Sequence, residues 1–493
     1  MIWVEADQCG GGEVSYAAAI QRRPWNAARR TASPVEICGA VRAEAVHRIG
    51  CLRRVGMILL GVTVALVAAG FWYHDETRTR SKRGSATVEF ESLHGPKERA
   101  LASVSTVPWP MYGYDAQRTH DAFQFALRPP YRELWRLPEY GVIEFPPVVG
   151  YGLLFVSDLR GRFLAIETKT GSMLWHKQFD HCAAASPALG KDVIYMAYMQ
   201  PHPCRRYPRS QKGFLVAMRF RNRRGVLYRG DHLAKILWRF RAGAIESSPL
   251  LVENRLYFGS WDGHLYALDV RRPDRPRLLW SFDAGSEVNS SAAYSGGSVF
   301  FGTDSGNVYA IDARTGRERW RASAYAHFGS RQYFYATPTI AYGRVYIGNT
   351  DGTVYAFGAR SGRLLWAQPA GTYVYTAAAV WRHEVIVGTY DGKLIAYDAA
   401  TGARRWVYDA PGAIHGAPTV LDGLVYFSTC ARCGSNASRY AKRGSKGTYA
   451  VDARSGRLVW SFFDGQYSPV VADRKRMYLV GTAGVYAFAP ARG

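Results

Sequence analysis

At 493 residues and 48% hydrophobic side chains, the chain has ample apolar content for a core, which excludes a wholly disordered protein. The formal charge of +24 implies a basic surface suited to anionic partners such as lipid headgroups or envelope polymers. No helix-turn-helix, zinc-finger or RNA-recognition pattern accompanies that charge, so nucleic acid is not expected as a partner.

Residues 1–54 show no sustained periodicity and carry Arg-rich patches, the pattern of an unstructured tail. Residues 55–73, VGMILLGVTVALVAAGFWY, contain no charge. As a helix this stretch spans about 28 Å, one hydrocarbon core, with Trp72 and Tyr73 at the interface. The expectation is a retained transmembrane anchor; Ala68-Ala69-Gly70 would otherwise serve as a small-residue cleavage site for a signal segment. Arg42, Arg48, Arg53 and Arg54 before the stretch balance Arg78, Arg80, Lys82 and Arg83 after it, so flanking charge gives no orientation. Residues 74–105 are polar and read as a linker.

Cysteine usage supplies the orientation. Beyond the linker stand Cys182, Cys204, Cys430 and Cys433, an even number in apparent loops, as disulfides of an oxidising compartment would be. The globular part is therefore expected outside the cytoplasm, on a single-pass anchor in the cell membrane. Cys430 and Cys433 have the spacing of half a zinc site, but Cys182 and Cys204 lie too far along the chain to complete one, and no metal site is assigned. The pairing of the four is left open.

From residue 106 to 490 the chain repeats. SSAAYSGGSVFFGTDSGNVYAIDARTGRERWRA (290–322), ATPTIAYGRVYIGNTDGTVYAFGARSGRLLWAQ (336–368) and TAAAVWRHEVIVGTYDGKLIAYDAATGARRWVY (376–408) each contain β-type runs separated by turn residues. Asp351-Gly352 and Asp391-Gly392 are hairpin signals, and Thr315-Gly316, Ser361-Gly362 and Thr401-Gly402 mark the turn before the last strand. One tryptophan closes each unit: Trp175, Trp238, Trp280, Trp320, Trp366, Trp406 and Trp460. The segment after Trp460 has no closing tryptophan, and Trp135 lies one period before Trp175. The N-terminal strand around Trp135 therefore completes the last unit, which leaves no open sheet edge. The predicted fold is all-β: an eight-bladed β-propeller preceded by a transmembrane helix. Insertions near Met199–Lys235 and Cys430–Lys446 map to loops, where binding surfaces commonly lie.

The run Val308-Tyr-Ala-Ile-Asp-Ala-Arg-Thr-Gly-Arg-Glu-Arg-Trp320, with Tyr266-Ala-Leu-Asp269 and Tyr449–Trp460, resembles the repeat of pyrroloquinoline quinone (PQQ) enzymes and their non-enzymatic relatives. Trp109–Thr119 is similar to the segment that often precedes such propellers. The resemblance implies the quinoprotein-like propeller fold. For activity it implies three readings: an extracellular binding module, a dehydrogenase holding PQQ with calcium, or a scaffold for outer-membrane protein assembly. The adjacent cysteine pair of the alcohol-oxidising members is missing from this chain.

Aligning the repeats on Pro147, Pro187, Pro249, Ala292, Pro338, Ala378, Pro418 and Pro469 puts Glu144, Ala184, Glu246, Asn289, Tyr335, Tyr375, His415 and Gln466 three residues earlier. Innermost strands line the central channel, so this column should ring one mouth, with Glu287, Tyr333 and Tyr373 further out. Glu144, Glu246, Glu287, Asn289, Tyr335, Tyr375, His415 and Gln466 are the candidate ligand-binding residues: carboxylates for a cation, tyrosines for stacking, His415 for proton transfer. No G-x-S-x-G, H-E-x-x-H or P-loop pattern is present, and no catalytic residue is assigned. The expected protein is a monomeric, membrane-anchored binding scaffold whose partner is an envelope protein or anionic envelope polymer, with no chemistry of its own.

Overall fold

The computed structural model describes residues 34–77, 80–91, 107–138, 141–204, 212–222, 225–228, 234–431, 441–467 and 470–491. It divides into two compact units, Met1–Glu76 and Thr77–Gly493. In the first, a single helix runs over Pro34–Thr77. Its Arg53–Thr77 part is long and apolar enough to cross a membrane, with a mean hydropathy of 2.2 and no buried side chain. The helix starts at Pro34, so residues 34–54 are not the unstructured tail expected from the sequence. Good helix formers such as Ala40, Arg42, Ala43, Glu44 and Ala45 carry it, and proline suits a helix's first position.

In the second unit, eight antiparallel sheets, each built on four strands, follow one another along the chain. Blade one is Val148–Gly150, Leu153–Ser157, Arg162–Glu167 and Met173–Gln178, from the axis outward. Blade eight is Val471–Ala472, Met477–Val480 and Val485–Pro490, completed by Tyr131–Leu137 from the N-terminal side. There Tyr131 pairs with Pro490 and Leu137 with Val485, closing the ring. Middle strands such as Leu153–Ser157 and Leu424–Cys430 are buried throughout, because blades stack on both their faces. The outermost strands are partly exposed, as in Glu318–Ser323. The sheets and their apolar clusters lie inside Thr77–Gly493, so this unit contains the core it needs to fold on its own.

Each tryptophan serves the contact between blades. Trp135, Trp280, Trp320, Trp366 and Trp406 donate their indole N–H to the carbonyls of Thr168, Ala313, Ala359, Ala399 and Ala453 on the next blade, at 2.9–3.2 Å. The ring lies over that blade's Thr-Gly or Ser-Gly turn. At Gly316 (φ +74°) a Cβ would stand 2.7 Å from Trp280, so glycine is required twice over, by conformation and by contact. Trp175 faces blade two, whose corresponding turn is replaced by the insertion, and its buried indole nitrogen has no hydrogen-bond partner among the described residues. Within the blades, the register slips where each tryptophan pairs with an alanine, at Ala165, Ala217, Ala267, Ala310, Ala356, Ala396 and Ala450. The bulge turns the large ring toward the neighbouring blade.

Two N-terminal segments bind the propeller. Residues 109–122 circle the axis, joining the innermost strands through backbone bonds from Leu189 N to Pro110 O (2.8 Å), Tyr294 N to Ala116 O (2.7 Å), Ile340 N to Gln117 O (2.9 Å) and Val380 N to Thr119 O (2.9 Å). Arg118, fully buried, donates to the carbonyls of Tyr112, Ala292 and Ser248. The segment therefore plugs one end of the channel. The second segment, residues 80–91, falls within the stretch read as linker. The buried Arg344 donates to its Ser85 O (2.7 Å), Val88 O (2.7 Å) and Glu89 O (2.9 Å), and Phe90 packs on Tyr342. Cys182 and Cys204 form a disulfide. Cys430 is disulfide-bonded too, and Cys433 lies outside the described residues.

Candidate functional site

Because each repeat enters its innermost strand from the same side, the residues just before those strands meet at one mouth of the channel. There a cavity is lined by Glu144, Glu246, Asn289, Tyr335, Tyr375 and His415, six of the eight candidate ligand-binding residues. Gln466 and Glu287 do not line it. In blade eight the neighbouring Tyr467 supplies the side chain instead, and Glu287 stands further out with its carbonyl bonded to Asp304 N (3.1 Å). Tyr333 is exposed, and Tyr373 stacks on Tyr390 at 5.7 Å.

The polar groups are held in pairs. Glu246 accepts from Trp261 Nε1 (3.2 Å) and from the Tyr335 hydroxyl. Burial, and after it the adjacent Glu246, push the Tyr335 hydroxyl well above its ordinary range, so it stays a donor. Tyr335 and Tyr375 stack at 4.2 Å and 23°. His415, 7% exposed, lies 3.4 Å from Glu144 through Nε2 and 2.6 Å from the Tyr390 hydroxyl through Nδ1. Tyr375 and Tyr467 pack on its ring at 4.9 and 4.8 Å. Asn289, 4% exposed, donates to Asp304 (2.9 Å), and its Oδ1 has no hydrogen-bond partner among the described residues.

Sequence reasoning missed the floor and the supports. Tyr112, in the axial segment, closes the bottom of the cavity, where burial raises its hydroxyl pKa. Trp261, Asp304 and Tyr390 stand behind the lining, in the turns between second and third strands. The recurrence of a polar or aromatic residue at that turn was the available signal.

The cavity measures about 40 Å³ by the centres of water-sized spheres. Two carboxylates line it and, among the described residues, no lysine or arginine does. These residues do not fit PQQ, a flat fused-ring quinone bearing several carboxylates. The stacked Tyr335 and Tyr375 leave no slot for a planar ring, and Glu144 and Glu246 would repel its acid groups. The carboxylates are not gathered around a cation position either. Among the described residues, the group of three or more His, Cys, Asp or Glu with ligand atoms within 4.8 Å of one another is Cys182, His202 and Cys204, and its two sulfurs are already bonded together.

Comparison with known proteins agrees with this architecture. A family model described as outer membrane protein assembly factor BamB matches residues 210–379 and 350–493. The lanthanide-dependent methanol dehydrogenase of Methylacidiphilum fumariolicum (strain SolV) is 30% identical over 101 residues, a match spanning 18% of this chain and 16% of that protein. Among solved structures, BamB from Moraxella catarrhalis superposes with a TM-score of 0.55 at 13% identity, over 73% of this chain and 100% of its own. A europium-containing methanol dehydrogenase superposes with a TM-score of 0.60 at 13% identity, over 79% of this chain and 99% of its own. At such identities the superpositions show the fold alone. With more than half of its length matched by the family model, the chain belongs to the PQQ-like β-propeller repeat family.

Proposed function

We propose that this protein is a membrane-anchored, extracytoplasmic binding scaffold whose axial cavity receives a small cationic group, such as an ammonium or guanidinium presented by an envelope protein. The observation that carries the reading is the lining: Glu144 and Glu246 beside the faces of Tyr335 and Tyr375, with no cationic side chain among them. Carboxylates and aromatic faces are the chemistry that holds a desolvated cation. The plug of residues 109–122 supports it further, since a channel closed at one end is a receptor for a protruding group. For location, the apolar Arg53–Thr77 helix and the Cys182–Cys204 disulfide support an anchored protein in an oxidising compartment. Similarity to both BamB and methanol dehydrogenase suits a propeller framework that serves more than one use.

Titration of the detergent-solubilised full chain with n-butylammonium and with a lysine-bearing peptide, followed by tyrosine fluorescence, tests the reading. Saturable one-to-one binding, weakened about tenfold or more by Glu246→Gln, is expected. Absence of saturable binding by either probe, or affinity indifferent to Glu246→Gln, would overturn it.

A further inference from the structure

The Cys182–Cys204 disulfide joins two connections on the mouth face of the propeller. Cys182 stands between Met173–Gln178 and Ala188–Leu189, where blade one leads into blade two. Cys204 follows Val193–Tyr198, in the turn between the second and third strands of blade two. The two sulfurs have unlike surroundings. Cys182 is fully buried among Ala184, Met199, Ala244 and Trp261, whereas Cys204 is exposed. The backbone already holds the segments together without the bond: Cys182 N donates to Gln200 O (3.0 Å) and Met199 N to Cys182 O (2.8 Å).

His202 stands over both sulfurs. Its Nδ1 lies 3.4 Å from Cys204 Sγ and 3.7 Å from Cys182 Sγ, and its Nε2 lies 3.1 Å from the Arg160 carbonyl. A carbonyl only accepts, so Nε2 carries the proton of the neutral ring and the Nδ1 lone pair faces the disulfide. A disulfide that only staples the chain has no use for a base at its sulfurs. One that exchanges with thiols does, because the attacking thiol must lose its proton and the leaving sulfur must gain one. The geometry points to a thiol–disulfide exchange site that oxidises a dithiol presented by a partner protein or peptide, with His202 as its acid and base. The partner's first thiol gives its proton to His202 Nδ1 and its sulfur bonds to the exposed Cys204 Sγ. The Cys182–Cys204 bond breaks, its electron pair stays on Cys182 Sγ, and His202 returns the proton there. The partner's second sulfur, its proton passing to Cys204 Sγ, then bonds to the first and frees Cys204 as a thiol. Two partner thiols become one disulfide, and the Cys182–Cys204 disulfide becomes two thiols. This exchange needs no ligand in the axial cavity.

Residues 77–493 are mixed under argon with a synthetic peptide bearing two reduced cysteines, and acid-quenched digests are read by mass spectrometry. One peptide disulfide should form for each Cys182–Cys204 bond lost, at least about tenfold faster than with the same concentration of oxidised glutathione in place of the protein. His202→Gln should slow the exchange about tenfold or more with an unchanged melting temperature. His181→Gln, which alters the neighbouring imidazole bonded to the Lys212 carbonyl (3.0 Å), should leave the rate unchanged. A peptide with a single cysteine should be captured on Cys204. Exchange no faster than with oxidised glutathione, capture on Cys182, or equal rates for the parent and His202→Gln would each overturn the assignment.

Discussion

Asp121, in the axial plug, shows how one side chain records a compromise. Burial first, and then the like charge of Asp115, raise its carboxyl to about 7, and its buried Oδ1 has no hydrogen-bond partner among the described residues. A carboxyl raised in the folded state binds its proton there more tightly than in the unfolded chain. Its contribution to stability is therefore best at low pH and declines as pH rises from about 4 through 7. Asp121→Asn should stabilise the protein at pH 8 by roughly 2–4 kcal/mol, and have little effect at pH 4. Thermal melts at the two pH values check this; an equal effect at both would show that Asp121 ionises freely. At this scale the sequence was informative where a repeat column existed. Glu246 and Asn289 occupy equivalent positions in successive repeats, so alignment alone brought them to one mouth. Tyr112 belongs to no repeat, and Tyr467 sits one place out of column, so neither could be found by periodicity.

Among the elements, the tryptophan-on-glycine contact decides how blades lock together. Gly285 and Gly316 have nearly the same backbone (φ +70° and +74°), but a Cβ at Gly285 meets nothing within 4 Å, whereas one at Gly316 meets the Trp280 ring. Gly285→Ala should therefore destabilise by about 1 kcal/mol through backbone conformation alone, and Gly316→Ala by about 2–4 kcal/mol. Denaturant midpoints of the two variants separate these effects; equal values would mean the indole moves aside freely. The blade count and the N-to-C closure were legible because each tryptophan and turn glycine recurs at a fixed spacing. The strap was not, because Arg344 holds its backbone carbonyls, and carbonyl acceptors leave no residue-type signature. Helix before residue 55 was likewise hidden, its good helix formers lacking an apolar stripe.

For the molecule as a whole, residues 109–122 plug one end of the channel and the polar cavity lies at the other. The same framework appears in a methanol dehydrogenase and in BamB, so the fold leaves the use undecided and the lining has to decide it. Here the lining offers carboxylates and stacked tyrosines, the chemistry on which the proposed cation binding rests. The most direct test is calorimetric titration of residues 77–493 with PQQ and calcium, beside the Glu246→Ala, Asn289→Ala double variant. The account predicts no saturable heat for either protein; one-to-one binding by the parent that the double variant loses would contradict it and make the cavity a quinone site.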